Sequence, residues 1–333
     1  MLIALCTVEE AHLQVVQEVE SQNMLQAIAE QKVQEYHLLQ QVQVVMQAAS
    51  ATAVSVERVQ DIVPEHNMKR IEFLPRKDWQ QTVESQGLTF HSRTGQYWNE
   101  EAAYVFTAKE IDTLERAAND VHELCLQAAQ HVIDKNLFSE LAIAPEAAEL
   151  VKKSWNNDEL HLYGRFDFSY DGVHPPKMLE YNADTPTSLL EASVIQWHWL
   201  QTCFPEKDQF NSLHESLIAR WKQLDIKTPV HFTTLSSAEE DVMTTEYLRD
   251  TAHQAGLETT YLHLEEVGYN AGTKRFVNGR NNNRGIDALF KLYPWEWMIH
   301  EEYGQHLSTT PMRWIEPPWK MLWSNKGILP ILW

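Results

Sequence analysis

The chain has 333 residues, a formal net charge of −20 at neutral pH and three cysteines. That charge excludes an extended nucleic-acid or anionic-membrane surface, which needs clustered Lys and Arg, although a phosphate site needs only a few local cations and backbone N–H groups. No run approaches the ~18 apolar residues of a membrane span, the start lacks the basic flank and apolar core of a signal peptide, and Cys6, Cys125 and Cys203 form no CxxC pair, so a cytoplasmic protein with reduced thiols is expected.

Residues 1–63 contain no Gly and no Pro and are rich in Gln, Val, Glu and Ala. Leu25, Ile28, Tyr36, Leu39, Val42 and Met46 recur near helical spacing, so residues 1–67 read as a long helical extension ended by a Pro64–Asn67 linker. The extension is either an arm for self-association or an appended segment outside the chemistry. A second unit, 68–333, has a different composition. It opens on a strand at Arg70–Leu74 and a short helix from Asp78. Thr107 with Glu110 three residues on is a capping box, introducing a helix to about Asp134. Pro145–Trp155 is a further helix.

Two short runs follow, Arg165-Phe166-Asp167-Phe168 and Met178-Leu179-Glu180-Tyr181-Asn182, each alternating polar and apolar residues as strands do. Pairing Asp167 with Glu180 in an antiparallel hairpin also pairs Arg165 with Asn182. All four polar groups then share one face, and Phe166, Phe168, Leu179 and Tyr181 share the other. Asp167, Glu180 and Asn182 are hard oxygen donors that suit Mg²⁺ better than zinc. Arg165 beside them is a fixed cation for phosphate. A surface salt-bridge ladder is the alternative. Next, Thr185 as N-cap and Pro186 at the first helical position predict a helix start whose dipole favours a carboxylate or phosphate.

Gln209–Leu224 reads as an amphipathic helix. Val230–Leu235, Ala238–Ala255, Thr259–Leu264 and Ile286–Leu292 alternate strand and helix, which implies a small parallel, Rossmann-like layer over 229–292. No G-x-G-x-x-G or P-loop pattern occurs, and Asn278–Gly285 reads as an exposed loop. The end is dense in aromatics, and its last apolar run, Gly327–Trp333, is expected to need a covering partner.

R-F-D-F, L-E-Y-N-A-D-T-P-T-S, F-K-L-Y-P-W-E, W-I-E-P-P-W-K and S-N-K-G-I-L-P-I-L-W, in this order, resemble the glutathionylspermidine synthase family over about Met68 to Trp333. The resemblance implies an α/β (α+β) fold of ATP-grasp type with a pre-ATP-grasp Rossmann-like layer. It also implies an ATP- and Mg²⁺-dependent ligase that joins a glutathione-like carboxylate to a polyamine-like amine through an acyl phosphate. Carried over, Arg165 matches the arginine that stabilises the transferring phosphoryl group, and Asp167, Glu180 and Asn182 match the magnesium ligands. Thr185 and Thr187 fall beside the glutathione-like substrate, and Glu240 and Asp241 face the amine. Lys326 matches a lysine that contacts ATP phosphates, and Arg165 and Asp167 count with it as cofactor-binding positions. Leu292 and Trp297 stand where the authentic synthetases carry threonine against glutathione, so the likeness is to the synthetase-like branch. The family also continues past Trp333, with further ATP and substrate residues, so a C-terminally truncated chain with impaired turnover is expected. The readings that compete with a ligase are a non-catalytic nucleotide- or peptide-binding assembly protein and a hydrolase using Asp167 and Glu180.

Overall fold

A computed structural model describes residues 2–5, 68–93 and 95–332 of the chain. The expected helical extension and self-association arm lie outside these residues, with one exception. Leu2–Leu5 is a strand (β1), not a helix start. A four-residue apolar run cannot be told from a helix segment by periodicity, and pairing decides it: β1 lies parallel to Arg165–Phe168.

Lys69–Glu72 (β2) pairs antiparallel with Ala102–Val105 (β3), a strand whose sequence carries no clear alternation. Between them lies the helix Trp79–Ser85 (α1). Helix Ala108–Lys135 (α2) opens on the predicted capping box: the Thr107 hydroxyl accepts from the Glu110 backbone N–H, and the Glu110 carboxylate accepts from that of Thr107. Pro145–Asn156 (α3) leads to the hairpin of Arg165–Ser169 (β4) and Lys177–Asn182 (β5), so that β4 is the middle strand of a β1-β4-β5 sheet. Gln196–Cys203 (α4) and Leu213–Gln223 (α5) follow; α5 starts four residues later than its pattern suggested.

The Rossmann-like layer is a four-stranded parallel sheet. It consists of Val230–Thr234 (β6), Thr259–His263 (β7), Ala288–Lys291 (β11) and Arg313–Ile315 (β12), in the order β12-β11-β6-β7. Helix Glu239–Gln254 (α6) crosses from β6 to β7 and is ended by Gly256 at φ +93°, a left-handed value that glycine adopts readily. The expected loop, Asn278–Gly285, is mostly an exposed turn, but its ends are paired: Val267–Asn270 (β8), Arg275–Asn278 (β9) and Arg284–Gly285 (β10) form an antiparallel meander, with Asn278 buried. Its runs are four residues or fewer, below what alternation can reveal.

Period-2 alternation lets the parallel sheet divide the core. Leu262, Leu289 and Trp314 pack on the side of α2, α3 and the hairpin, whereas Val230, Phe232, Phe290 and Ile315 pack with α5 and α6. Trp295–Met298 (α7), Met321–Ser324 (α8) and Ile328–Ile331 (α9) complete the chain's elements. The described part of the terminal apolar run packs on the chain itself, with Ile328 buried and Ile331 and Leu332 against the first core cluster.

Four buried charges fasten the hairpin to this sheet. Lys291 at the end of β11 donates to Asp184 just after β5, at 2.5 Å, and the other Asp184 oxygen accepts the Trp295 backbone N–H at 2.8 Å. Glu316 after β12 accepts the backbone N–H groups of Leu162 and Tyr163, both at 3.0 Å, and pairs with Lys320 at 2.8 Å. Lys320 also donates to the Tyr163 carbonyl. Both lysines are fully buried, and burial pulls both ammonium groups below the usual lysine range, against the pull of the carboxylates. Lys291→Met leaves Asp184 charged and buried, so it is expected to cost about 3–5 kcal/mol, seen as a lower urea midpoint at unchanged slope. A loss under about 1 kcal/mol, the scale of an exposed pair, would show that the pair does not hold the hairpin.

Candidate active site

The hairpin pairs as its alternation predicts: Arg165 lies opposite Asn182, and Asp167 opposite Glu180. A bulge follows, because Phe168 pairs with Met178 and Leu179 is the extra residue. Leu179 is accordingly exposed and does not join Phe166, Phe168 and Tyr181 in the core, as alternation alone had placed it. On that buried face Phe166, Tyr181 and Trp323 stack at centroid distances of 3.8 and 4.9 Å. The Tyr181 ring lies so close to Gly164 that a Cβ there would meet it at 2.6 Å. This packing fixes which side of the ladder the polar groups occupy.

The polar side is not a surface ladder. Arg165 and Asp167 are 8% and 6% exposed. Arg165 Nε donates to Asp167 Oδ1 at 2.9 Å and Nη2 lies 3.4 Å from Oδ2, while Nη1 reaches both the carbonyl and the hydroxyl of Thr187 at 3.4 Å. Asn182 Nδ2 donates to Glu180 Oε1 at 2.6 Å, and Lys326 Nζ lies 3.0 Å from Glu180 Oε2. The structure thus brings together Arg165, Asp167, Glu180, Asn182, Thr187 and Lys326. Lys326 stands between α8 and α9, where Asn325 anchors the turn by donating to the Leu141 carbonyl at 2.7 Å.

The helix start is displaced from its expected position. Helical geometry begins at Leu189, and Ser188 has φ +67°. The reason lies in Arg165, which engages Thr187 through backbone and side chain and keeps residues 185–188 out of the helix. Thr185 lies in the same loop, half-buried. Glu240 and Asp241 sit in the first turn of α6, beyond the carboxyl end of β6. They border the site through its tyrosines and one buried acid: Asp241 acts on Tyr163, and Glu240 on Tyr97 and Glu191. The Tyr163 hydroxyl in turn donates to the Pro186 carbonyl.

The two facing carboxylates are driven apart electrostatically. Burial raises the Asp167 carboxyl above its usual range; Arg165 opposes this, and Glu180 adds to it. Burial also works to raise Glu180, but Lys326, Asp167 and the Asn182 amide together outweigh it and leave it below the usual range. Two carboxylates and an amide converging on one side, with one carboxyl pushed towards neutrality by burial and, to a lesser extent, by the other, are what a hard divalent cation would relieve. Among the described residues no group of three or more His, Cys, Asp or Glu is placed to hold a metal; Asp167 and Glu180 would need the Asn182 amide oxygen as a third donor.

Sequence reasoning missed Glu191 and Tyr97, whose hydroxyl donates to Glu191 Oε1 at 2.5 Å. No spacing links residues 94 positions apart. The buried lysines did leave a signal: Glu316 and Lys320 stand four apart, and Lys291 interrupts an apolar run.

Comparison with known proteins fits this geometry. Residues 70–333 match the family model described as glutathionylspermidine synthase preATP-grasp. A Haemophilus influenzae protein provisionally named an acid–amine ligase is 43% identical over 277 residues, 80% of this chain and 70% of that protein. The bifunctional glutathionylspermidine synthetase/amidase of Escherichia coli is 28% identical over 270 residues, covering 72% of this chain and 43% of the relative. Trypanothione synthetase of Crithidia fasciculata is 26% identical over 242 residues, 64% and 36% of the two chains. The chain therefore spans less than half the length of these last two relatives. The matched relatives bear ligase and synthetase names, which sets the class as that of the ligases. The chain belongs to the glutathionylspermidine synthase family and matches its pre-ATP-grasp part. No helix among the described residues is long and apolar enough to cross a membrane.

Because Lys326 holds Glu180 low, the carboxylate contributes stability above the ordinary range of about 4, and this is lost only as pH falls through the lowered value. In a carboxyl-carbon NMR titration Glu180 should titrate below ordinary glutamates, and Lys326→Met should move it upward. An unchanged midpoint would separate the two groups.

Proposed function

We propose that the chain carries the site of an ATP- and Mg²⁺-dependent carboxylate–amine ligase of ATP-grasp type, acting on a glutathione-like peptide acid and a polyamine-like amine through an acyl phosphate. The observation that carries this reading is the ladder face itself: Asp167 opposite Glu180, Asn182 beside them, and one cation at each flank. Asp167, Glu180 and the Asn182 amide oxygen would hold Mg²⁺. When bound, it would neutralise phosphate oxygens during phosphoryl transfer.

The chain's own residues do the rest. Arg165 is oriented by two contacts to Asp167 and two to Thr187, so its guanidinium is fixed before the transferring group arrives; such preorganised charge stabilises negative charge developing in the transition state. Lys326, largely exposed, is free to exchange Glu180 for an ATP phosphate. Thr185 and Thr187 line the acid's approach, and Glu240 and Asp241 give the other border the negative charge an ammonium group needs. Unequal carboxyls would also serve a hydrolytic acid–base pair. Arg165, however, engages both Asp167 oxygens, which leaves no lone acid there to work on water.

Calorimetry of ATP binding with and without Mg²⁺ tests the site. Binding by the wild type should require the metal, and Asp167→Asn should abolish that requirement together with most of the affinity. Arg165→Met should leave metal-dependent binding nearly intact while lowering phosphoryl transfer about 10²–10³-fold, as loss of one preorganised donor does. ATP binding indifferent to both Mg²⁺ and Asp167 would sink the ligase reading and favour a non-catalytic scaffold.

A further inference from the structure

Glu191 opens a π-helical turn, Glu191–Ile195, three residues beyond the loop that Arg165 holds through Thr187. Such turns are rare and recur at functional positions. Its side chain is 7% exposed. Oε1 accepts the Tyr97 hydroxyl at 2.5 Å, whereas Oε2 is buried and, among the described residues, has no hydrogen-bond partner. Leaving a buried carboxylate oxygen without a donor is costly, and such groups call for an explanation. The groups that face it come from separate elements. Tyr97 approaches from the loop before β3, Glu240 from the first turn of α6, and Arg165 from β4, and Ser188 hydrogen-bonds Tyr97. A phosphate or carboxylate would meet two acids here. A donor with positive charge would satisfy Oε2 and offset Glu240.

We propose that Glu191 Oε2 receives the ammonium group of the amine substrate and accepts its proton, so that Glu191 is a catalytic residue of the acyl-transfer step; this rests on the ligase reading above. The ammonium gives one proton to the Glu191 carboxylate. The freed nitrogen lone pair then attacks the acyl-phosphate carbonyl carbon. The C–N bond forms, the C–O bond to phosphate breaks with its electron pair leaving on phosphate, and the second nitrogen proton goes to that phosphate. The surroundings suit the task. Burial, helped by Glu240 and opposed by the Tyr97 hydrogen bond, the residue's own backbone N–H and Arg165, holds the Glu191 carboxyl up at about 7. The same burial disfavours the charged form of an amine placed beside it. Tyr97 orients the carboxyl through its other oxygen and leaves Oε2 to the substrate.

Hydroxylamine supplies the test, because its nitrogen is already unprotonated at neutral pH and needs no base. With glutathione, spermidine and Mg·ATP as probes, Glu191→Gln should lower amide formation about 10²-fold, the lower range for a lost general base. Hydroxamate formation from glutathione and hydroxylamine should be unchanged. In calorimetry at neutral pH, spermidine binding should release about half a proton from the wild type, whose Glu191 carboxyl is about half protonated there, and none from Glu191→Gln. Parallel loss of amide and hydroxamate would overturn the proposal, since Glu191 would then only support the Arg165 loop. Undiminished amide formation would overturn it as well. If the wild type forms no hydroxamate, the ligase reading fails on its own, and the proton release still judges Glu191: its presence keeps the amine site and its absence removes it.

Discussion

Two lysines with no exposed surface, Lys291 and Lys320, would each be untenable alone in a protein interior, and each is matched by a carboxylate that has further work to do. Asp184 holds Lys291 with one oxygen and the start of α7 with the other; Glu316 holds Lys320 and two consecutive backbone N–H groups ahead of β4. A buried ion pair rarely gives net stability over a well-packed apolar pair. What these four residues give is position. The entrance to β4 and the exit from β5 lie side by side in an antiparallel hairpin, and both are tied to the carboxyl edge of the parallel sheet. Arg165 and Asn182, the first and last residues of the ladder, therefore stand at fixed places relative to β6, β11 and the start of α6. Open α/β sheets bind ligands at that edge.

The hairpin was legible because its information is local. Alternation gave the face and the polar–polar register, and hydrophobic burial of Phe166, Phe168 and Tyr181 enforced it. The capping box at Thr107 and the strand–helix–strand rhythm of 229–292 were legible for the same reason. What the sequence hid is tertiary. The bulge at Leu179 depends on how β5 bends, and the displaced helix start depends on Arg165 capturing Thr187. The β8–β10 meander is built from strands too short to show a period. Asp184 and Lys291, like Tyr97 and Glu191, meet across about a hundred residues, and no pattern of spacing announces such a meeting.

Charge is distributed unevenly across the site, and this orders it. One flank has Arg165 and Lys326 against Asp167 and Glu180, close to neutral. The other has the acids Glu191, Glu240 and Asp241, with Arg165 acting on Glu191. A protein with a net charge of −20 can thus keep one flank near neutral by pairing its carboxylates with cations locally. Arg165 separates the two regions, its guanidinium divided between Asp167 and Thr187.

Leu292 departs from the family resemblance. The family likeness sets threonine there, against glutathione. In this chain Leu292 is 3% exposed and belongs to the core cluster on the α5–α6 side, with its backbone N–H given to the Thr233 carbonyl and its carbonyl taken by the Thr234 hydroxyl. It has no polar atom left for a ligand. Trp297, at the second such position, packs its ring edge-on against Tyr293, with centroids 5.6 Å apart. Two hydroxyl donors are thus replaced by apolar bulk at the carboxyl end of β11. A site built to hydrogen-bond a substrate discriminates strongly, whereas an apolar wall separates related acids by only about 1–3 kcal/mol. Leu292 is thus spent on the core of the α5–α6 side and presents no hydroxyl at the carboxyl end of β11.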